Sequence, residues 1–390
     1  MDLKAQDVPR RGDRRAAGFA VVIGGLGLIG VLAWSTSVSE GPRASIEASP
    51  TPPLFAATDR APQSMAVDAG GSIVITAATV DDEVVVTARD VDGTVRWTGT
   101  LPAAGSLTCG PCPGAIRVDE GEAVERIAPD GTTTVDPSYE GAPATGFGVI
   151  LAIASDGTLV VVPPRGGEPV PLPDAVEPPV IGAWSADGRS VTLVGRHPDP
   201  VRLAEVVVVS APDGPPPQVV SLGGPATRVV PCSRSDGSIP PTFVVAEPEV
   251  DGRPAATAVF GAVAGSPVPV EDYFDDCAAG GRGVILAHVS SGPTDDGSDV
   301  WHRLDAAVVD RSGAVRMLPS FEAIGLAPTD HALDAVGFGV AIVRPDGDGA
   351  ALQGDGGRTE LDPAWLVAFD ETGHRWWVDP SGQPHREVRG

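Results

Sequence analysis

Two hydrophobic patterns divide the chain. From Ala16 to Trp34 the sequence AAGFAVVIGGLGLIGVLAW carries no charge. At a helical rise of about 1.5 Å per residue this run covers roughly the hydrocarbon core of a bilayer, which predicts one membrane-spanning helix. From about residue 64 onward the pattern changes to short, Val-rich runs cut by Gly, Asp and Pro. Runs of this length and composition predict strands. They fall at 72–78, 83–89, 94–100, 149–154, 158–162, 205–210, 242–246, 284–289, 306–310, 339–343 and 365–370. No segment beyond the apolar run holds a 3.6-residue period, so the second pattern predicts an all-β region. Gly follows Asp, Ser or Thr between these runs at Asp92-Gly93, Asp130-Gly131, Asp156-Gly157, Asp187-Gly188, Asp213-Gly214, Ser312-Gly313, Asp346-Gly347 and Thr372-Gly373. Such pairs predict hairpins in series, with the positive φ angles of two-residue primed turns.

The runs group into units. Four candidate strands fill 64–102, and further units follow near 105–138, 145–174, 179–224, 226–270, 280–320 and 330–380. Repeats of about 40 to 50 residues with four short strands each are the signature of propeller blades. The expected architecture is a β-propeller of about seven four-stranded blades over residues 63–385, with six or eight blades also compatible and a pair of β-sandwiches as the competing layout.

Three stretches carry a resemblance. Residues 88–97 (ARDVDGTVRW) and 367–376 (VAFDETGHRW) resemble the repeat of quinoprotein-type propellers, in which a strand ending in Asp turns through Gly and returns to a Trp; residues 183–194 (AWSADGRSVTLV) resemble the WD40-like repeat of the TolB type. The resemblance covers a small part of the chain and implies a propeller, without implying a ligand. Trp97, Trp184 and Trp376 are expected to fill the space between neighbouring sheets, because a large ring at a fixed place in each blade suits that role. The two most similar units lie first and last, which suggests closure between the ends of the domain.

The N-terminus sets the topology. Lys4, Arg10, Arg11, Arg14 and Arg15 precede the apolar run, and no basic cluster follows it. The positive-inside rule then keeps residues 1–15 cytoplasmic and places Trp34 as an interfacial anchor. Residues 16–34 are expected to act as a transmembrane signal anchor in the plasma membrane, followed by a Ser/Pro/Ala-rich stalk at 35–62 and an extracytoplasmic domain. The competing reading is a cleaved signal ending near Ser37-Val38-Ser39, which would make the domain secreted.

Composition narrows the function classes. The chain has 49 Gly and 40 Pro in 390 residues, 5% aromatic residues and a net charge of −25. That charge repels phosphate backbones and argues against a nucleic-acid partner. Four Cys, all beyond the apolar run, fit disulfides in an oxidising compartment. Cys109-Gly110-Pro111-Cys112 matches a redox tetrapeptide but lacks the helix that would lower its thiol pKa, so it reads as a loop staple. Cys232 and Cys277 then pair by elimination.

Candidate chemistry is sparse. The six His form no metal-binding pattern, and no nucleophile elbow or phosphate-binding loop occurs. Asp90 and Asp92, and Asp346 and Asp348, set carboxylates two apart beside a Gly and form weak calcium candidates. Negative patches at Glu271-Asp272, Asp275-Asp276 and Asp295-Asp296 would favour a basic partner. No cofactor and no catalytic residue is identified. The expectation is a membrane-anchored binding or scaffolding module for an extracytoplasmic protein or glycan, more consistent with a non-enzyme. The alternatives are a quinone-dependent dehydrogenase and a glycan-active propeller.

Overall fold

The computed structural model describes residues 64–387 apart from short connecting segments. The basic tail, the apolar run with Arg14, Arg15 and Trp34, and the stalk lie outside the described residues. So do Cys109, Cys112, Asp346 and Asp348. Among the described residues no helix is long and apolar enough to cross a membrane.

The described chain is all-β, with a single 3-10 turn at Pro200–Arg202. Strands form where the Val-rich runs predict them, for example Ile73–Val80, Glu83–Asp90 and Gly339–Val343. They are organised in seven sheets, most of them meanders whose strands pair with their sequence neighbours. The first sheet spans 64–102 and has four strands. The second spans 106–171 and has seven, because Ile150–Ala154 pairs with Thr133–Gly141 and so fuses two predicted units. The third, fourth, fifth and sixth sheets span 177–221, 228–271, 276–324 and 330–361. A three-stranded seventh sheet spans 366–387, so the last predicted unit, 330–380, is two sheets. Two short strands reach back across a boundary. Gly146–Phe147 pairs in parallel with the start of the third sheet, and Ser233–Arg234 pairs in parallel with Asp276–Gly280 of the fifth.

From the third sheet to the seventh, successive sheets meet through their first strands. Glu177–Trp184 lies beside Arg228–Pro231, which lies beside Asp276–Gly280, then Asp330–Asp334, then Leu366–Phe369. Leu366–Phe369 in turn lies beside Ser64–Val67, the first strand of the first sheet. The backbone of Gly93, in the first sheet, also packs on the Gln383 side chain of the last. The two ends therefore meet by packing; among the described residues no ladder joins them.

The cores sit between sheets. One cluster joins Val244, Val259 and Val270 of the fourth sheet to Cys277, Leu286 and Val309 of the fifth, and another joins Ile285, Ala306 and Val308 of the fifth to Leu333, Val340 and Ile342 of the sixth. Alternate residues of one strand thus serve opposite neighbours, as the period of two requires. The disulfide Cys232–Cys277 ties the fourth and fifth sheets inside the first of these cores.

The hairpin turns differ from the two-residue primed form. Gly93, Gly157, Gly313, Gly373 and Gly382 have φ between 79° and 85°, while Asp272 and Phe338 are the only non-glycine residues described with positive φ, so no residue next to these glycines shares it. A primed turn needs positive φ at both central positions or at the first. Here Gly93 N donates to Asp90 O (2.9 Å) and Asp90 N to Thr94 O (2.8 Å), and the same pair of bonds recurs at Asp310, Asp370 and Asp379. This is a type I turn followed by a left-handed Gly that forms a bulge. The Asp side chain explains the choice of residue. Asp370 Oδ1 accepts from Thr372 N (3.0 Å), Thr372 Oγ1 (2.6 Å) and His374 N (3.0 Å), and Asp310 and Asp379 hold their own turns in the same way.

Candidate functional site

The fifth sheet carries an arm. Its strands Gly283–Pro293 and Val300–Asp310 have eleven residues each, whereas Asp276–Gly280 beside them has five. Beyond Ala287, the last residue paired to Asp276–Gly280, the two long strands continue through Pro293 and Val300. Six residues at about 3.3 Å each project the hairpin by about 20 Å. Phe321–Ile324 pairs with Trp301–Leu304 and makes the arm three-stranded.

Its two faces differ. Leu304 and Phe321 are buried on one. The other continues the face that, nearer the core, packs Leu286 and Val284 against the fourth sheet. The fourth sheet's strands have only four or five residues and do not follow the arm outward. Strand pairing places His288 with Asp305, Ser290 with Arg303, and Gly292 with Trp301 on this second face. Trp301 is 37% exposed. The indole lies over Gly292, where an added Cβ would come within 2.9 Å of ring atoms Cε2 and Cζ2. Arg303 is held in place: Nε donates to Asp305 Oδ1 (2.7 Å), Nη2 to Ser320 Oγ (3.1 Å), and Glu322 lies 3.8 Å from Nη1. The Asp305 contact and charge raise the Arg303 pKa.

The segment that enters the fifth sheet builds the arm's base. Thr257, buried in the fourth sheet, donates its hydroxyl to Asp272 O (2.8 Å) and accepts from Phe274 N (2.9 Å). This clamp seats Phe274 in the core and leaves Tyr273 and Asp275 on either side of it partly exposed. The backbone strains to do so, because Asp272 has φ 134°, a region that side-chain-bearing residues rarely adopt. Asp275 accepts from His288 Nδ1 (2.8 Å) and Arg228 Nη1 (3.3 Å), and Tyr273 meets the His288 ring edge-on at 4.9 Å. Burial and the Asp275 charge raise the Tyr273 pKa, and Arg228 opposes them. One residue on, Asp276 pairs with His331 of the sixth sheet at 2.9 Å, both largely buried. The consecutive carboxylates thus have different work: Asp276 joins two sheets inside, and Asp275 organises polar side chains at the surface.

The sequence-predicted positions are dispersed. Asp90 Oδ1 accepts from Arg96 Nε (2.7 Å), and Asp92 Oδ1 accepts from Thr94 N (2.9 Å), a bond that lowers its pKa. These carboxylates serve the turn and the neighbouring strand. Among the described residues no group of three or more His, Cys, Asp or Glu is placed to hold a metal. Trp97 and Trp376 are fully buried, each opposite an alanine, Ala88 and Ala368, which leaves room for the ring. The first hairpin has one residue more than the last, and a bulge at Ala88/Arg89 absorbs it. Trp184 packs among Leu151, Val161 and Leu193, between the second and third sheets. Trp376 Nε1 donates to Asp370 Oδ2 (3.1 Å), which ties the core ring to the turn.

Sequence reading missed the arm and Trp301. A signal was present: Val-Trp-His-Arg-Leu-Asp at 300–305 alternates so that a Trp shares its face with Arg and Asp.

No family model matches the chain, and no curated protein matches it. Among solved structures it is similar to the tricorn protease (11% identity, 90% of this chain and 36% of that one, TM-score 0.46). It is also similar to the β-propeller domain of Cps50 (Swd1) from Myceliophteria thermophila (9% identity, 85% and 100%, TM-score 0.37) and to the Dos1 propeller (9% identity, 77% of each chain, TM-score 0.40). The chain spans about a third of the tricorn protease it matches. Likeness of this degree assigns no activity to this chain.

Proposed function

We propose that this chain is a membrane-tethered, extracytoplasmic binding module in which the meanders form the blades of a β-propeller and the arm is the recognition element. The succession of first strands, returning from Leu366–Phe369 to Ser64–Val67, supports a ring. Counting the fused second sheet as two units gives eight blades. The charge-free run at 16–34 behind a basic tail supports the tether. The observation that carries the binding role is the arm face. On its second face the hairpin runs about 20 Å past Asp276–Gly280 and leaves a Trp at the surface, and loops and hairpins on a rigid scaffold are where recognition concentrates.

A photo-crosslinking amino acid at position 301 of the full-length protein, expressed in its own cells, tests this reading. Adducts of discrete mass are expected from position 301 and not from position 218, which is exposed on an outer strand. Equal labelling at both, or none at 301, would overturn the role of the arm. Treating intact cells with a membrane-impermeant protease should degrade the folded domain only if it lies outside.

A further inference from the structure

The arm face has a charge as well as a shape, and the combination specifies what fits it. Asp272, Asp275, Asp299, Asp305 and Glu322 lie on or beside it, against Arg228 and Arg303. Both arginines are already engaged, Arg228 by Asp275 and Arg303 by Asp305 and Glu322. Both arginines are thus committed to carboxylates, and among the described residues of the face the excess is negative. Asp299 and Glu322 are exposed, and Asp299 Oδ1 accepts only from Val300 N at 3.0 Å among the bonds described. Trp301 stands between these acidic positions with its ring pinned over Gly292. An aromatic face bordered by carboxylates attracts a guanidinium or ammonium group, through the ring quadrupole and through direct charge.

We propose that the arm face binds a cationic segment of a partner polypeptide, with an Arg or Lys side chain laid over Trp301 and its neighbours facing Asp299, Asp305 and Glu322. This inference rests on the reading of the arm as the recognition element. The backbone reinforces it. Thr294 N donates to Asp299 O, so alternation directs the main-chain groups of Ser290 and Gly292 toward the strand Val300–Asp310 and those of Val289 and Ser291 to the opposite edge. Past Ala287 no strand is described on that edge, and an extended peptide has donors and acceptors there to meet.

The full-length protein in detergent micelles, titrated with a fluorescently labelled decamer of alternating Arg and Thr, tests the proposal. Saturable binding is expected, weakened by added salt, with no binding of a Glu/Thr decamer of the same length. Trp301→Ala should weaken binding about tenfold, while Trp301→Phe keeps most of it. Both variants leave the core untouched, and an unchanged thermal midpoint confirms that they fold. If Trp301→Ala binds the Arg/Thr decamer as tightly as the parent, the attraction is bulk charge and the proposal falls. If a neutral pyranose oligomer binds in a Trp301-dependent way and the Arg/Thr decamer does not, the arm keeps its recognition role and the cationic partner is wrong. If neither probe binds and position 301 gives no crosslink in cells, both readings fail.

Discussion

Asp370 shows how much one side chain does in this protein. Its carboxylate is almost wholly buried, which taken alone would raise its pKa, yet bonds from Thr372, Trp376 and His374 outweigh burial and the pKa is lowered. A carboxylate with a depressed folded pKa stabilises the fold at pH values above its unfolded value of about 3.9, and that contribution is lost as pH falls through the folded value. Asp370→Asn is therefore expected to cost about 2 kcal/mol at pH 7, and the difference from the parent should shrink as pH is lowered from about 4 to 2.5. Urea midpoints at the two pH values check this. Asp272 is the opposite case, a residue held at φ 134° by the Thr257 clamp. Asp272→Gly relieves the strain and is expected to raise the urea midpoint by the equivalent of about 1 kcal/mol, whereas Asp272→Ala gives no such gain. The Gly of each turn was legible in the sequence, because the hairpin needs a left-handed residue there; the accepting Asp was not, since it stands three residues before that Gly and a two-residue turn has no place for it. The buried pair Asp276–His331 was not, since its partners stand 55 positions apart and meet only when two sheets pack.

The strands were the most legible elements. Their Val-rich runs were read within a few residues, because period and turn residues act locally. Lengths of the arm strands were underestimated, because beyond Val289 the chain reads Ser-Ser-Gly-Pro and before Ala306 polar His302, Arg303 and Asp305 are mixed with Val300, Trp301 and Leu304, which breaks the Val-rich run. Sheet boundaries were less legible still. Nothing local announces that Thr133–Gly141 pairs with Ile150–Ala154, or that 330–380 divides in two. Glycines separate local from nonlocal constraint. Gly157 has φ 85° and open space around it, so Gly157→Ala should cost only the left-handed backbone penalty of about 1 kcal/mol. Gly280 has no such φ, but a methyl there would overlap the Ala335 carbonyl of the next sheet. Gly280→Ala is expected to cost more, about 2 to 3 kcal/mol, because backbone cannot move aside as a side chain can. Comparing the thermal midpoints of the two variants decides the order.

For the whole molecule, stability depends on sheets that lean on one another around a series of first strands. The Cys232–Cys277 bond crosses one of these junctions with a sequence separation of 45. Replacing both cysteines by Ser is expected to lower stability by about 4 kcal/mol on the loop-entropy estimate, and a fall below 1 kcal/mol would mean that packing alone fixes the junction. The junction of the last sheet with the first has no covalent tie among the described residues and rests on Leu366–Phe369 beside Ser64–Val67. The arm joins these junctions by one face only, through Leu304 and Phe321, and its second face carries Trp301 at the surface. Hydrogen-exchange mass spectrometry of the full-length protein, with and without the Arg/Thr decamer, tests the whole account most directly. Ser64–Val67 and Leu366–Phe369 should exchange slowly in both samples, and the decamer should add protection in 288–293 and 300–305. Fast exchange at both terminal strands would contradict the ring, and protection gained elsewhere, with the arm unchanged, would contradict the binding face.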